Sequence, residues 1–238
     1  MAPYLSMLTI MLFTHPLLAR EPVVVQSAKC QDWVNYSPSY QCSFHNPTSP
    51  SSAIVVFALA SGTPAVAVTK VTDDHKPDTN TYVQDLRYLF GEVQSVHFYS
   101  SAAAGKTRTV TLNANESTHF QVVLIEVAGL APQQPLVDRT SVQDNGYNSG
   151  KTFTSGITEI TTKATELLVG WTEQAYPNVM TFTDTSSWKL VEQEPIGGSR
   201  IAYRTTRSLG TFEYTGTFNG TGDYRVGAAI VTYKAADE

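Results

Sequence analysis

The sequence predicts an all-β protein, a two-sheet antiparallel β-sandwich of the jelly-roll type, and three observations carry that expectation. Charged residues make up only 16% of the 238-residue chain, while Thr, Ser, Val and Tyr are abundant, a balance that favours strands over helices. Nearly every segment that reads as structured alternates with period two and is bounded by Gly, Pro, Asn or Ser. No segment of helical period is long enough to cover a sheet, so the strands must bury their apolar faces against each other.

The strand candidates follow in order. The first half supplies Val23–Ala28, Ala53–Ala60, Ser95–Ser101, Arg108–Ala114 and Phe120–Leu130, all rich in β-branched and aromatic residues. The second half supplies Thr152–Ile160, Thr165–Glu173, Met180–Ser186, Trp188–Glu194, Arg200–Ser208, Thr211–Asn219 and Tyr224–Ala235. Within Thr211–Phe218, Phe212, Tyr214 and Phe218 fall on one face and Thr211, Glu213, Thr215 and Thr217 on the other, which predicts one buried and one wet side. The stretch 79–93 fits two patterns: Tyr82, Leu86, Leu89 and Val93 suit a helix, and Tyr82, Leu86, Tyr88 and Phe90 a bent strand. Periodicity leaves both open. About a dozen strands at this length exceed a seven-stranded immunoglobulin domain and match a jelly roll. No compositional break marks a linker, so residues 20–238 are expected to form a single domain.

Residues 1–19, MAPYLSMLTIMLFTHPLLA, contain no Asp, Glu, Lys or Arg. The apolar run Met7–Phe13 is too short to span a bilayer and matches the central region of a secretory signal, with Ala19 before the cleavage point. Export to the extracellular space or cell surface is therefore expected, with no membrane span in the mature chain. In an oxidising compartment Cys30 and Cys42, the only cysteines, are expected to pair, closing a loop over 30–42. The net charge of −5 and the scattered Lys and Arg leave no basic stripe for a phosphate backbone, so nucleic acid is not an expected partner.

The segment order VVVQSAKC, AIVVFALASG, VTKVTDD, VQSVHFYSSAAAGKTRTVTLNA, VVLIEVAGL, a lone Asp138, SGKTFTSGITEITTKATELLVG and YRVGAAIVTYK resembles a group of secreted bacterial β-sandwich domains. Their fold is similar to the concanavalin A-like, lectin or laminin-G-like jelly roll. The resemblance implies this fold and export, and its motifs include no catalytic residue. The loop between Cys30 and Cys42 is not part of that pattern.

Catalytic signatures fail one by one. In Asn145–Gly156 the glycines Gly146 and Gly150 are four apart, and Ser100 stands where the Gly105–Thr107 motif needs its first glycine, so neither is a phosphate loop. The five histidines show no metal spacing, and no serine sits in Gly-x-Ser-x-Gly. A jelly-roll glycosidase needs paired carboxylates on one strand face. Glu192 and Glu194 share a face, but no further acid supports them and Pro195 ends the strand. Asp74, Asp78, Asn80 and Asp85 supply hard oxygen ligands for an irregular structural calcium site. Lys76 and Thr79 break the EF-hand pattern.

Two non-catalytic functions remain. One is a structural or adhesive surface protein that self-assembles, filament-like, through sheet edges or through a strand donated from around Pro22–Ala28. The alternative is a glycan-binding, lectin-like module that stacks sugars on Trp33, Tyr36, Tyr40, Tyr147 or Trp171.

Overall fold

The computed structural model describes residues 20–62, 65–77, 80–90, 94–148, 152–174, 179–182, 188–191, 199–219 and 224–237. Residues 1–19, Asp78 and the pair Glu192 and Glu194 lie outside them, as do the side chains of Trp33 and Tyr147. No described residue is helical, and two large antiparallel sheets pack face to face, the sandwich that the period-two patterning predicts.

The first sheet comes from the N-terminal half. It orders β1 (Val23–Ser43), β6 (Thr109–Ala128), β2 (Ser52–Ser61), β5 (Gln94–Ser101) and β4 (Val83–Phe90), and β3 (Val68–Asp73) pairs with the early part of β6. The second orders β11 (Lys189–Leu190), β12 (Ser199–Arg207), β9 (Thr165–Gln174), β14 (Tyr224–Lys234) and β7 (Val137–Asn148). A small third sheet orders β10 (Val179–Phe182), β13 (Thr215–Asn219) and β8 (Thr152–Thr154). The ambiguous 79–93 stretch yields strand β4: Phe90 enters the core and Leu86 and Tyr88 pack against it, while Leu89, needed for the helical stripe, is 52% exposed.

Three apolar layers explain why the strands are more hydrophobic than simple alternation requires. Between the large sheets, Val55, Phe57 and Leu59 of β2 and Val123, Ile125 and Val127 of β6 meet Leu167, Val169 and Trp171 of β9 and Val231 and Tyr233 of β14. The other face of β2, with Ile54, Val56 and Ala58, is also buried, against Val68, Val71, Val110, Leu112 and Phe44. The other face of the second sheet, with Leu168, Ala228 and Ile230, packs on Phe153, Tyr214 and Phe218 of the small-sheet layer. Strands covered on both faces read as unbroken apolar runs such as Ala53–Ala60. Gly170 makes the last layer possible, because a Cβ there would lie 2.5 Å from the Tyr214 ring.

The second layer arises from a fold-over. Cys30 pairs in register with Val122 and Cys42 with Val110, so β1 and β6 run together along their length. Twelve extended residues span about 40 Å, yet the Cα atoms of Cys30 and Cys42 are 5.5 Å apart and joined by a disulfide. The β1/β6 ribbon therefore doubles back near 32–37 and 113–118, where its register shifts, and lays its second half with β3 over the first sheet. The predicted disulfide is present, as a staple across this bend.

Candidate functional site

The two long sides of the sandwich differ. On one side β4 and β7, the edge strands of the two large sheets, are clasped together. The Arg225 guanidinium bonds Asp144 through Nη2 and through Nε at 3.1 Å, and Tyr88 bonds the same carboxylate. Arg225 also stands 5.7 Å from the Phe90 ring centroid. Its hydrogen bond holds the Asp144 carboxyl below the usual range, against the effect of burial. Phe90 reaches this position because position 227 is glycine: a Cβ there would lie 2.7 Å from its ring.

On the other side β1 faces β11 and β12 across a gap. The N-terminal segment bridges it at one end, where Glu21 accepts from Thr205 at 2.5 Å and pairs with Arg207. Those bonds, Thr205 first, hold the Glu21 carboxyl below its ordinary value. Ser27 Oγ donates to the Val191 carbonyl at 3.3 Å. Between these bridges lies an open cleft of about 520 Å³, lined by Glu21, Pro22, Val23, Val24, Tyr203 and Thr205 with Lys189 and Arg204 at its wall. Among the described residues the 21-residue strand β1 pairs with β6 alone, and near its start no described strand lies against its other backbone edge. Val23 and Val25 on it are 56% and 50% exposed. Its strand-edge guards are a register shift between Val24 and Gln26, single charges at Lys29 and Asp32, and Pro38.

At the bend of the ribbon the Asp32 carboxylate accepts from the Val34 and Asn35 amides at 2.9 and 2.8 Å, fixing a tight turn. Those bonds, Asn35 first, hold Asp32 below the usual carboxylate range. The turn presents Val34, 86% exposed, and Tyr36, 62% exposed, whose ring lies 4.0 Å from that of His119. Tyr40 is half-buried and stacked on Phe120. Of the expected sugar-stacking rings, Tyr36 is thus presented outward. Trp171 is a correction: it is fully buried between the sheets against Phe57 and Phe90 and offers no face to a ligand.

Among the described residues of the expected calcium set, Asp85 is turned away from Asp74 and Asn80. Asp74 Oδ1 accepts from the Arg108 and Thr109 amides, and Asn80 donates through Nδ2 to Asp73 at 2.7 Å. Asp85 points instead into the space between the large sheets, bonded to Ser100 Oγ at 3.0 Å and Tyr233 OH at 3.1 Å. The Asp73 carboxylate, not among the expected ligands, anchors this turn with donors from His75, Asn80, Tyr82 and Thr107. No group of three His, Cys, Asp or Glu among the described residues could hold a metal ion.

The sequence reading missed a set of buried ionisable groups. Burial pushes Asp85 and Glu173 up to about 7, Ser100 and Ser199 opposing it. Burial, and then the neighbouring Asp138 carboxyl, pushes Glu166 up to about 8. His97 is fully buried; its Nε2 faces the Ser95 hydroxyl and the Val68 amide, and burial holds its ring down to about 4. Alternation carried a signal for Glu173, which shares a strand face with Leu167, Val169 and Trp171. None of these groups reaches the open cleft, whose polar lining is Glu21, Lys189, Tyr203, Arg204 and Thr205.

Comparison with known family models, with curated proteins and with solved structures finds no match to this chain.

Proposed function

We propose that the mature chain is a non-catalytic extracellular module of the concanavalin A-like jelly-roll kind that acts by association, adding the edge of β1 to a second copy. The observation that carries this reading is the one-sided pairing of β1, with exposed Val23 and Val25 beside an open cleft. An open strand edge of the kind that starts at Val23 and Val25 presents N–H and C=O groups, and a two-fold pairing of two such edges satisfies both rows at once. The segment Val23–Ala28 is not itself the donated strand, because it is already paired with Leu124–Ala128 of its own sheet. Export by residues 1–19 accords with the disulfide staple, which suits an oxidising compartment.

Sedimentation velocity on the chain starting at Arg20, with Val23→Lys/Val25→Lys alongside, tests this. Concentration-dependent association that the double variant loses, at unchanged melting temperature, is the expected result. A parent that stays monomeric at high concentration, or a double variant that associates equally, contradicts it.

A glycan-binding reading is favoured by one observation, the outward Tyr36 ring at the stapled bend. On that reading the parent stays monomeric, and Tyr36→Ala abolishes retention on a glycan array.

A further inference from the structure

Between β8 and β9 the chain runs as a strap, residues 155–164, along the outer side of the second sheet. Every third residue is buried: Ser155, Thr158 and Thr161. Their amides donate to the carbonyls of Tyr214, Phe212 and Gly210, each at 2.9 Å. In return, their hydroxyls accept from the amides of the same three residues. The far end of the strap closes over two carboxyl groups. Asp138 on β7 accepts from the Thr162 amide and, at 2.7 Å, from the Thr162 hydroxyl. Glu166 on β9 lies beside it with no exposed surface. Its carboxyl oxygens face the Asp138 carboxyl, the Thr232 hydroxyl and the Lys163 amide without a well-formed hydrogen bond to any of them.

We propose that the Asp138 and Glu166 carboxyls form a proton-operated clasp, which closes the strap over the second sheet while the pair carries one proton and releases it when that proton leaves. Two carboxylates in contact and out of water repel, so the pair is stable with one proton between them. That proton sits on Glu166, where the carboxyl is held up to about 8, and Asp138 is the ionised partner, held below the usual range by Glu166 and Thr162 despite its burial.

The surrounding charges do not neutralise a second negative charge. Arg139 Nη1 reaches Asp138 at 3.4 Å, while Arg139 Nε is committed to the Ile160 carbonyl and lies 3.7 Å from Glu159. Lys163 is paired with Asp237 at 2.8 Å. Lys234, the cross-strand partner of Glu166, makes no ion pair with it. On deprotonation the proton passes to solvent, and the cheapest relief is to swing Thr162 and its neighbours away and admit water. Release would free the amides and carbonyls of Gly210, Phe212 and Tyr214 as a second unpaired edge. This device is independent of the β1 reading.

Amide hydrogen exchange on the full chain between pH 6 and pH 9.5, corrected for intrinsic base catalysis, tests the clasp. Protection at Thr158, Thr161 and Thr162 should fall by up to about tenfold per pH unit as pH rises toward the Glu166 midpoint and level off above it, as one-proton linkage requires, while Val169 keeps its protection. Glu166→Gln, which replaces the protonated carboxyl with a neutral amide, should hold the strap closed across the range. Carboxyl NMR of the unsubstituted protein supplies a second readout, with Glu166 expected to titrate where the strap opens. Flat protection to pH 9.5, an equal fall in Glu166→Gln, or a Glu166 midpoint in the ordinary carboxylate range would overturn the proposal.

Discussion

Two sides of one sandwich are closed in opposite ways. The β4/β7 side combines Phe90 seated on Gly227, Arg225 over Phe90, and Asp144 bonded to both Arg225 and Tyr88. On the β1/β11 side the described contacts include the exposed Glu21 pair with Arg207, a Thr205 bond and a long Ser27 contact around a cleft. A polar clasp seals an edge when an apolar ring fills the space beneath it and excludes water. Without such a ring, ion pairs of the same kind are screened and leave the strand edge open. On the proposed reading, the difference places stability on one side and association on the other.

Removing the ring should break the contrast with the largest effect. Phe90→Ala takes away a nearly fully buried side chain and should cost about 3 kcal/mol in urea unfolding. A loss below about 1 kcal/mol would mean that the seal does not rest on the ring. Next in size, Cys30→Ser/Cys42→Ser removes the staple that holds the folded-over β1/β6 ribbon, and should cost about 2 to 4 kcal/mol while the inter-sheet core stays formed.

A pH series sharpens the comparison, because the raised carboxyls lie inside the sandwich and under the strap, away from the open side. Asp85, Glu173 and Glu166 have folded-state values raised to about 7, 7 and 8, so their contribution is present at low pH and is lost as pH rises through 7 to 8. His97, lowered to about 4, acts oppositely, losing its contribution as pH falls from its ordinary value near 6.5. Three protons outweigh one, so the melting temperature should be higher at pH 5.5 than at pH 8. The reverse order would show that these groups are solvated. The smallest effect belongs to the open side, where Glu21→Gln should cost under about 1 kcal/mol and less at high salt.

Strand order was less legible than strand existence. Alternation located β2, β5, β6, β9, β12, β13 and β14 because each buries at least one face, and the phase within Thr211–Phe218 correctly put Tyr214 and Phe218 inside. The fold-over of β1 and β6 was not legible, since a sharp bend in a paired ribbon leaves period two intact on both sides. The calcium expectation failed at Asp85 because sequence proximity to Asp74 says nothing about which face of a bent strand a carboxyl takes. Trp171 follows the apolar phase of Leu167 and Val169, which already placed it inside. The Asp138 and Glu166 pairing depends on β7 and β9 flanking β14, a long-range fact that no local pattern carries.

Hydrogen exchange of the chain from Arg20 onward, measured at low and at high protein concentration, tests the association of β1 most directly. The open-edge account predicts that protection of Val23–Ala28 rises with concentration while β4 and β7 stay unchanged. Equal protection of Val23–Ala28 at both concentrations, or a rise confined to β7, would contradict it.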